Sequence, residues 1–226
     1  LFTIADRFSP SKVFFISAIL GAAFNLMCVL DNQTLVSLMS LRFLTGFFLA
    51  GIYPVGMKIA TDYYDKGLEK SLGYLVGALV LGTALPHLLK DLFTNSSWKH
   101  VLIATSLLSI FGGLLLLIFI KDGPFSTKSK GFNISSCFNV FKNIDFSKAS
   151  FGYFGHMWEL YTFWTFVPVL LLMYQKLHID VIFSIPLLSF AIIGVGSISC
   201  ILSGYISEKI GVKKTAFHFL LLSCFC

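Results

Sequence analysis

His156 and Glu159 are the residues whose types and spacing most readily suggest chemistry: an imidazole and a carboxyl three positions apart, within an otherwise apolar run from Phe151 to Tyr174. On a helix that spacing puts both on one face. Desolvation makes a carboxyl harder to ionise, so such a setting suits proton exchange near neutral pH, with a His alongside to share the proton. The pair fits proton coupling or contact with a polar solute, and equally a structural hydrogen bond between helices. Tyr161 stands in the same run, among Tyr153, Trp158 and Trp164. Arg42 is the one charge inside the run Leu35–Met57. At a bilayer centre it would cost at least about 2.5 kcal/mol, so it must face protein or water. An internal ion pair, a snorkelling residue and a cavity cation that attracts an anionic solute all remain open for it. Tyr53 adds a hydroxyl to the same run and joins the substrate or proton-coupling candidates.

The elements that hold these groups are set by the length of the apolar blocks. Of 226 residues 56% are hydrophobic and only 12% charged, against about 25% charged in an average soluble domain. A helix needs about 20 residues to cross roughly 30 Å of hydrocarbon. Blocks that satisfy this run over 13–30, 35–57, 71–89, 101–120, 151–174 and 181–206, and a seventh opens at Thr215. Six complete crossings are therefore expected, with both chain ends lying inside further apolar segments.

Basic residues test the count, because they collect on the cytoplasmic side of membrane proteins. Alternate connections hold Arg7 and Lys12, then Lys58, Lys66 and Lys70, then the five lysines between 121 and 150, then Lys209, Lys213 and Lys214, while the opposite set holds only Lys90, Lys99 and Lys176. Residues 1–12, 58–70, 121–150 and 207–214 are thereby expected in the cytoplasm, and the chain is expected to be an integral, multi-pass protein of the plasma (inner) membrane. The net charge of +6 reflects this topology, and no nucleic-acid partner is expected. Cys28, Cys137, Cys200, Cys224 and Cys226 are scattered with no metal-ligand spacing, and His87, His100, His178 and His218 lie near helix ends, so no metal or cofactor is expected. No Walker loop, nucleotide fingerprint, HExxH or GxSxG motif is present, and an enzyme is not expected.

The long connection 121–150 reads as a linker between two bundles, 1–120 and 151–226, and Phe138, Val140, Phe141 and Ile144 could form an amphipathic helix within it. The segment Asp6-Arg7-Phe8-Ser9-Pro10-Ser11-Lys12 precedes a span on the lysine-rich side, and Glu208-Lys209-Ile210-Gly211-Val212-Lys213-Lys214 repeats its pattern after six spans and the linker. A parallel repeat of six helices is a transporter architecture. Gly46 and Gly51, then Gly73, Gly77 and Gly82, space small residues for close helix packing.

Taken with Arg42 through Gly46, Gly51 and Pro54, and with Gly204 before Glu208, these segments resemble the major facilitator superfamily: the motif between its helices 2 and 3, its weaker copy between helices 8 and 9, and its helix 4 signature. The resemblance places the chain from the end of helix 2 to the start of helix 9, and implies an all-α membrane fold of two six-helix pseudo-repeats, incomplete at both ends. It implies a secondary active transporter of a small polar or anionic solute, proton-coupled, working by alternating access as a monomer. A facilitative uniporter and a non-transporting scaffold or receptor are the alternatives. It further implies that the chain alone does not transport, that helix 4 with Arg42 lines the central cavity, and that Asp6, Arg7, Lys12, Asp62, Gly204, Glu208 and Lys209 form a cytoplasmic gate in which Arg7 pairs with Asp62. Helix 8 lacks the Arg of nitrate porters, and Ala78 after Gly77 departs from the antiporter signature.

Overall fold

In lipid no water is at hand for the backbone, so an apolar run must satisfy its own N–H and C=O groups as a helix. The computed structural model describes residues 8–64, 66–94, 97–121, 123–125 and 139–225. Their helices are α1 (Pro10–Met27), α2 (Leu35–Leu49), α3 (Tyr53–Tyr63), α4 (Leu68–Leu92), α5 (Lys99–Phe119), α6 (Ile144–Leu177), α7 (Ile185–Gly194), α8 (Gly196–Ile210) and α9 (Val212–Ser223), with a short 3-10 turn at Val140–Lys142 and no strand among the described residues. Among the described residues six helical spans are long and apolar enough to cross a membrane, with α2–α3 and α7–α8 each counting as one. Fold class and span number are those the apolar blocks imply.

Local chemistry moves the boundaries. Pro10 opens α1, where its missing N–H is no loss. The Thr34 hydroxyl accepts from the Ser37 N–H at 3.1 Å and starts α2. Asn143 accepts from the N–H groups of Asp145 (3.0 Å) and Phe146 (3.3 Å), so α6 begins at Ile144, seven residues before its apolar run. The described end of the linker holds the 3-10 turn and, from Ile144, the first turns of α6; Phe138, part of the expected amphipathic helix, lies outside the described residues. The Leu35–Met57 block is also not one continuous helix. Gly51 donates to Phe48 O (3.0 Å) and Ile52 to Leu49 O (2.9 Å) before Gly56 resumes the regular ladder on Ile52 O (2.8 Å). Such i→i−3 bonds tighten the turn between α2 and α3, and Pro54 then sits in the first turn of α3. A second tightened turn at Val195 separates α7 from α8, while Pro86 and Pro168 lie inside α4 and α6.

Packing follows small residues. Helix α1 is held by α5, α2 and α3, and its buried side includes Ser17, Ala18, Gly21 and Ala22. A Cβ at Gly113 of α5 would come within 3.0 Å of the Ala18 methyl, and one at Gly51 within 2.7 Å of the Ser17 hydroxyl oxygen. Large apolar side chains point outward instead: Phe43 is 71% and Trp158 80% exposed, as expected when lipid is the solvent and close backbone approach joins helices. A second seam runs along α4, which lies antiparallel to α7 and α8. It buries Gly73, Gly77, Val80 and Ala84. Gly73 faces Gly204 and the Cys200 carbonyl, and Gly77 faces Ser197 and Ile201. Gly46 and Gly82 do not pack as expected: nothing lies within 4 Å of a Cβ at either, because neither falls on the buried side of its helix.

Contacts sort the connections onto two ends. At one, the Ser11 hydroxyl donates to Ile120 O (2.8 Å), Tyr63 to Lys121 O (2.5 Å), and Lys70 pairs with Glu208 (2.6 Å). At the other, Lys99 bonds Asp31 and Ser184 bonds Asp91. The Lys99 hydrogen bond, and then its charge, hold the exposed Asp31 carboxyl below the usual carboxylate range.

A Cβ at Gly204 would meet Glu69 O at 2.9 Å and the Lys70 Cα at 3.2 Å, backbone atoms that cannot swing aside. Gly204→Val is therefore expected to lower the unfolding temperature in lipid nanodiscs, by the equivalent of about 1–3 kcal/mol of overpacking. Gly82→Val should leave it nearly unchanged. Equal losses from the two would rule out this seam.

Candidate functional site

Helix α3 begins at Tyr53, directly after the tightened turn that ends α2. Tyr53, its first residue, is half-buried and close enough to Tyr153 and Tyr161 of α6 and to Cys200 of α8 to interact with them electrostatically. Tyr53 and Tyr161, distant in sequence, thus lie within electrostatic range of one another, Tyr53 at the tightened turn of one span and Tyr161 within another. Tyr161 also stacks edge-on with Trp164, centroids 5.4 Å apart. Phenolic hydroxyls on an apolar scaffold can accept and donate single hydrogen bonds to a polar solute without placing a fixed charge in the membrane.

His156 and Glu159 lie on α6 with Nδ1 3.8 Å from Oε2. They face one another, as the three-residue spacing requires, but no hydrogen bond joins them, and the Glu159 carboxylate accepts instead from the Ser223 hydroxyl of α9. The carboxylate is 51% exposed. Chemically the arrangement offers a carboxylate held by one hydroxyl donor, with an imidazole nitrogen 3.8 Å away.

Arg42 is not part of that locus. Its guanidinium donates to the Asn25 side-chain oxygen at 2.6 Å. Asn25, buried on α1, turns its amide N–H₂ to Ser106 Oγ (2.9 Å), Leu102 O (3.2 Å) and Thr105 Oγ1 (3.4 Å) on α5. One amide thus joins three helices, and Arg42 completes its satisfaction. No carboxylate lies within ion-pair distance of Arg42 among the described residues. Asn25 was legible as a polar residue mid-span, a recognised adhesive between membrane helices, but its partners were not.

The expected gate residues spread over the lysine-rich end. Asp6 and Arg7 lie outside the described residues, and so does their pairing with Asp62. Asp62 is 6% exposed at the end of α3, with Lys58 at 3.5 Å on its own helix. Its carbonyl accepts from Phe125 N–H (3.0 Å), and a Cβ at Gly123 would collide with that oxygen, so the strip 123–125 lies flat on α3. Lys12 and Lys209 are exposed. Glu208 pairs with Lys70 of α4, a partner the sequence did not single out. The Lys70 ammonium also sits 4.9 Å above the Tyr205 ring, and the Tyr205 and Tyr74 hydroxyls are 2.8 Å apart. Two helices from opposite sides of the linker are thus latched just beyond the Gly73–Gly204 contact. Among the described residues no group of three His, Cys, Asp or Glu side chains could hold a metal.

The sequence model of the Major Facilitator Superfamily matches residues 3–226. No curated protein and no solved structure matches the chain.

A charge-assisted bond from Arg42 to buried Asn25 predicts strong coupling between the two. In a double-mutant cycle of Asn25→Ala and Arg42→Met, read by unfolding in nanodiscs, the interaction energy should reach about 1 kcal/mol or more. An additive cycle would return Arg42 to the role of a free cavity cation.

Proposed function

Because the chain belongs to the Major Facilitator Superfamily, a family of membrane transporters, we propose that it forms part of a proton-coupled secondary active transporter for a small polar or anionic solute. The observation that carries this reading is Tyr53, at the tightened turn between α2 and α3 and within electrostatic range of Tyr153 and Tyr161 of α6 and Cys200 of α8. Interrupted helices at mid-span expose polar backbone to a solute where regular helices would not. His156 and Glu159 stand on the helix that supplies Tyr153 and Tyr161, so a proton on Glu159 and a solute at the tyrosines would be felt by the same element.

Alternating access then requires α4 to rock against α7 and α8. Small residues support this, since Gly73, Gly77 and Gly204 leave no side chains to interlock. The Lys70–Glu208 pair serves as the latch at the lysine-rich, cytoplasmic end, with Lys12, Asp62 and Lys209 nearby in the gate. In this reading residues 1–120 and 151–226 belong to separate rocking units of a monomer in the plasma membrane.

Two outcomes test it. In energised vesicles carrying the full-length protein, a panel of monocarboxylates, amino acids and sugars should include one that drives proton entry with its own uptake. Glu159→Gln should then abolish the pH dependence of that uptake; uptake that keeps both its rate and its pH dependence would exclude Glu159 as the coupling site and favour facilitated uniport. For the latch, Lys70→Glu and Glu208→Lys should each slow transport, and the double exchange should restore it, because attraction across the seam survives reversal. Failure of the pair to compensate would remove the latch.

A further inference from the structure

At the end of the molecule opposite the latch, α4, α5, α6 and α7 line an open cavity of about 890 Å³. That is large enough for a small organic molecule. Pro86, Pro168 and Pro186, one from each of α4, α6 and α7, line it and hinder close helix contact there. Its polar groups are unevenly matched. Asp91 accepts from the Ser184 hydroxyl at the start of α7, where the helix end favours negative charge. Lys99, at the nearby start of α5, is bonded to Asp31. Lys90 lines the cavity and has no carboxylate within ion-pair distance among the described residues. His87, one helical turn before Lys90, lines it too, and Trp98 and Leu102 supply apolar wall.

Among the described residues Lys90 is held by no carboxylate, and Asp91 is turned to the Ser184 hydroxyl; with an imidazole beside Lys90 and a broad aromatic and aliphatic wall, the cavity matches a ligand with an anionic head for Lys90 and an apolar body. We propose that this outer vestibule binds an organic monocarboxylate, its carboxylate on Lys90 and its apolar part against Trp98. The vestibule does not include the tyrosine locus, and the inference does not depend on proton coupling.

Trp98 makes the site observable. The chain has three tryptophans, so Trp158→Phe with Trp164→Phe leaves Trp98 as sole reporter. The protein is placed in phosphatidylcholine nanodiscs and titrated with benzoate, with benzyl alcohol as the uncharged counterpart. Benzoate is expected to change Trp98 fluorescence saturably, while benzyl alcohol does not saturate in the same range. Lys90→Gln should weaken benzoate binding by at least about tenfold, the value of one charge-assisted hydrogen bond, and Lys90→Arg should retain it. Equal responses to the two probes, or an unchanged titration in Lys90→Gln, would overturn the proposal. Loss of the benzoate response when phosphatidylglycerol is added would overturn it as well, by assigning the cation to a lipid phosphate. The titration is done at equilibrium without a gradient, so its result stands apart from any transport result.

Discussion

Close backbone approach between α4 and α8 is the contact on which the remaining arrangement depends. Where Gly73 and Gly204 meet, a single added Cβ would collide with backbone of the facing helix. That proximity brings Lys70 within reach of Glu208, sets the Tyr74 hydroxyl on that of Tyr205, and carries the line of contact along the buried small residues to Ala84 and Gly194. Lipid offers no hydrophobic drive to press helices together, so van der Waals contact over small residues and a few polar bonds must do it. A seam made this way is continuous but shallow. Along its glycines it offers few side chains to interlock, and the bonds across it gather at the end that holds Lys70–Glu208 and Tyr74–Tyr205.

The first packed group solves the same problem with a polar hub. Asn25 spends both ends of its amide, the oxygen on Arg42 and the nitrogen on α5. A buried amide left half-satisfied would cost about 1–3 kcal/mol, and an intramembrane guanidinium left bare would cost at least as much. Each residue therefore relieves the other. Arg42, conspicuous in the sequence as a lone charge, is employed in joining α1 to α2. The chemistry of the tyrosine locus lies elsewhere, at the start of α3.

How far the sequence spoke for itself depended on the range of each interaction. Six spans were legible because block length and alternating lysines are local properties, set by bilayer thickness and charge. Helix starts were partly hidden: Asn143 caps α6 well before the apolar run begins. Spacing suggested that Gly73, Gly77 and Gly82 act alike, yet the buried line on α4 steps from 73 to 77, 80 and 84, and residue 82 falls off it. Partners were the least legible. Glu208 stood out in a repeated motif, but Lys70 could be named only once the antiparallel register of α4 and α8 was known, and Asn25 gave no hint of Ser106. Tyr53 and Tyr161 come from different apolar runs, and it is folding that brings them within electrostatic range of one another.

The strip after α5 has one last consequence. Gly123 lies flat on the Asp62 carbonyl, Phe125 bonds that carbonyl, and Lys121 accepts from Tyr63, so the connection is riveted at its root. A tether fastened there transmits force where a slack one would absorb it. Any pull on the chain beyond Phe125 arrives first at the end of α3, a rod of 11 residues and about 16 Å whose far tip is Tyr53.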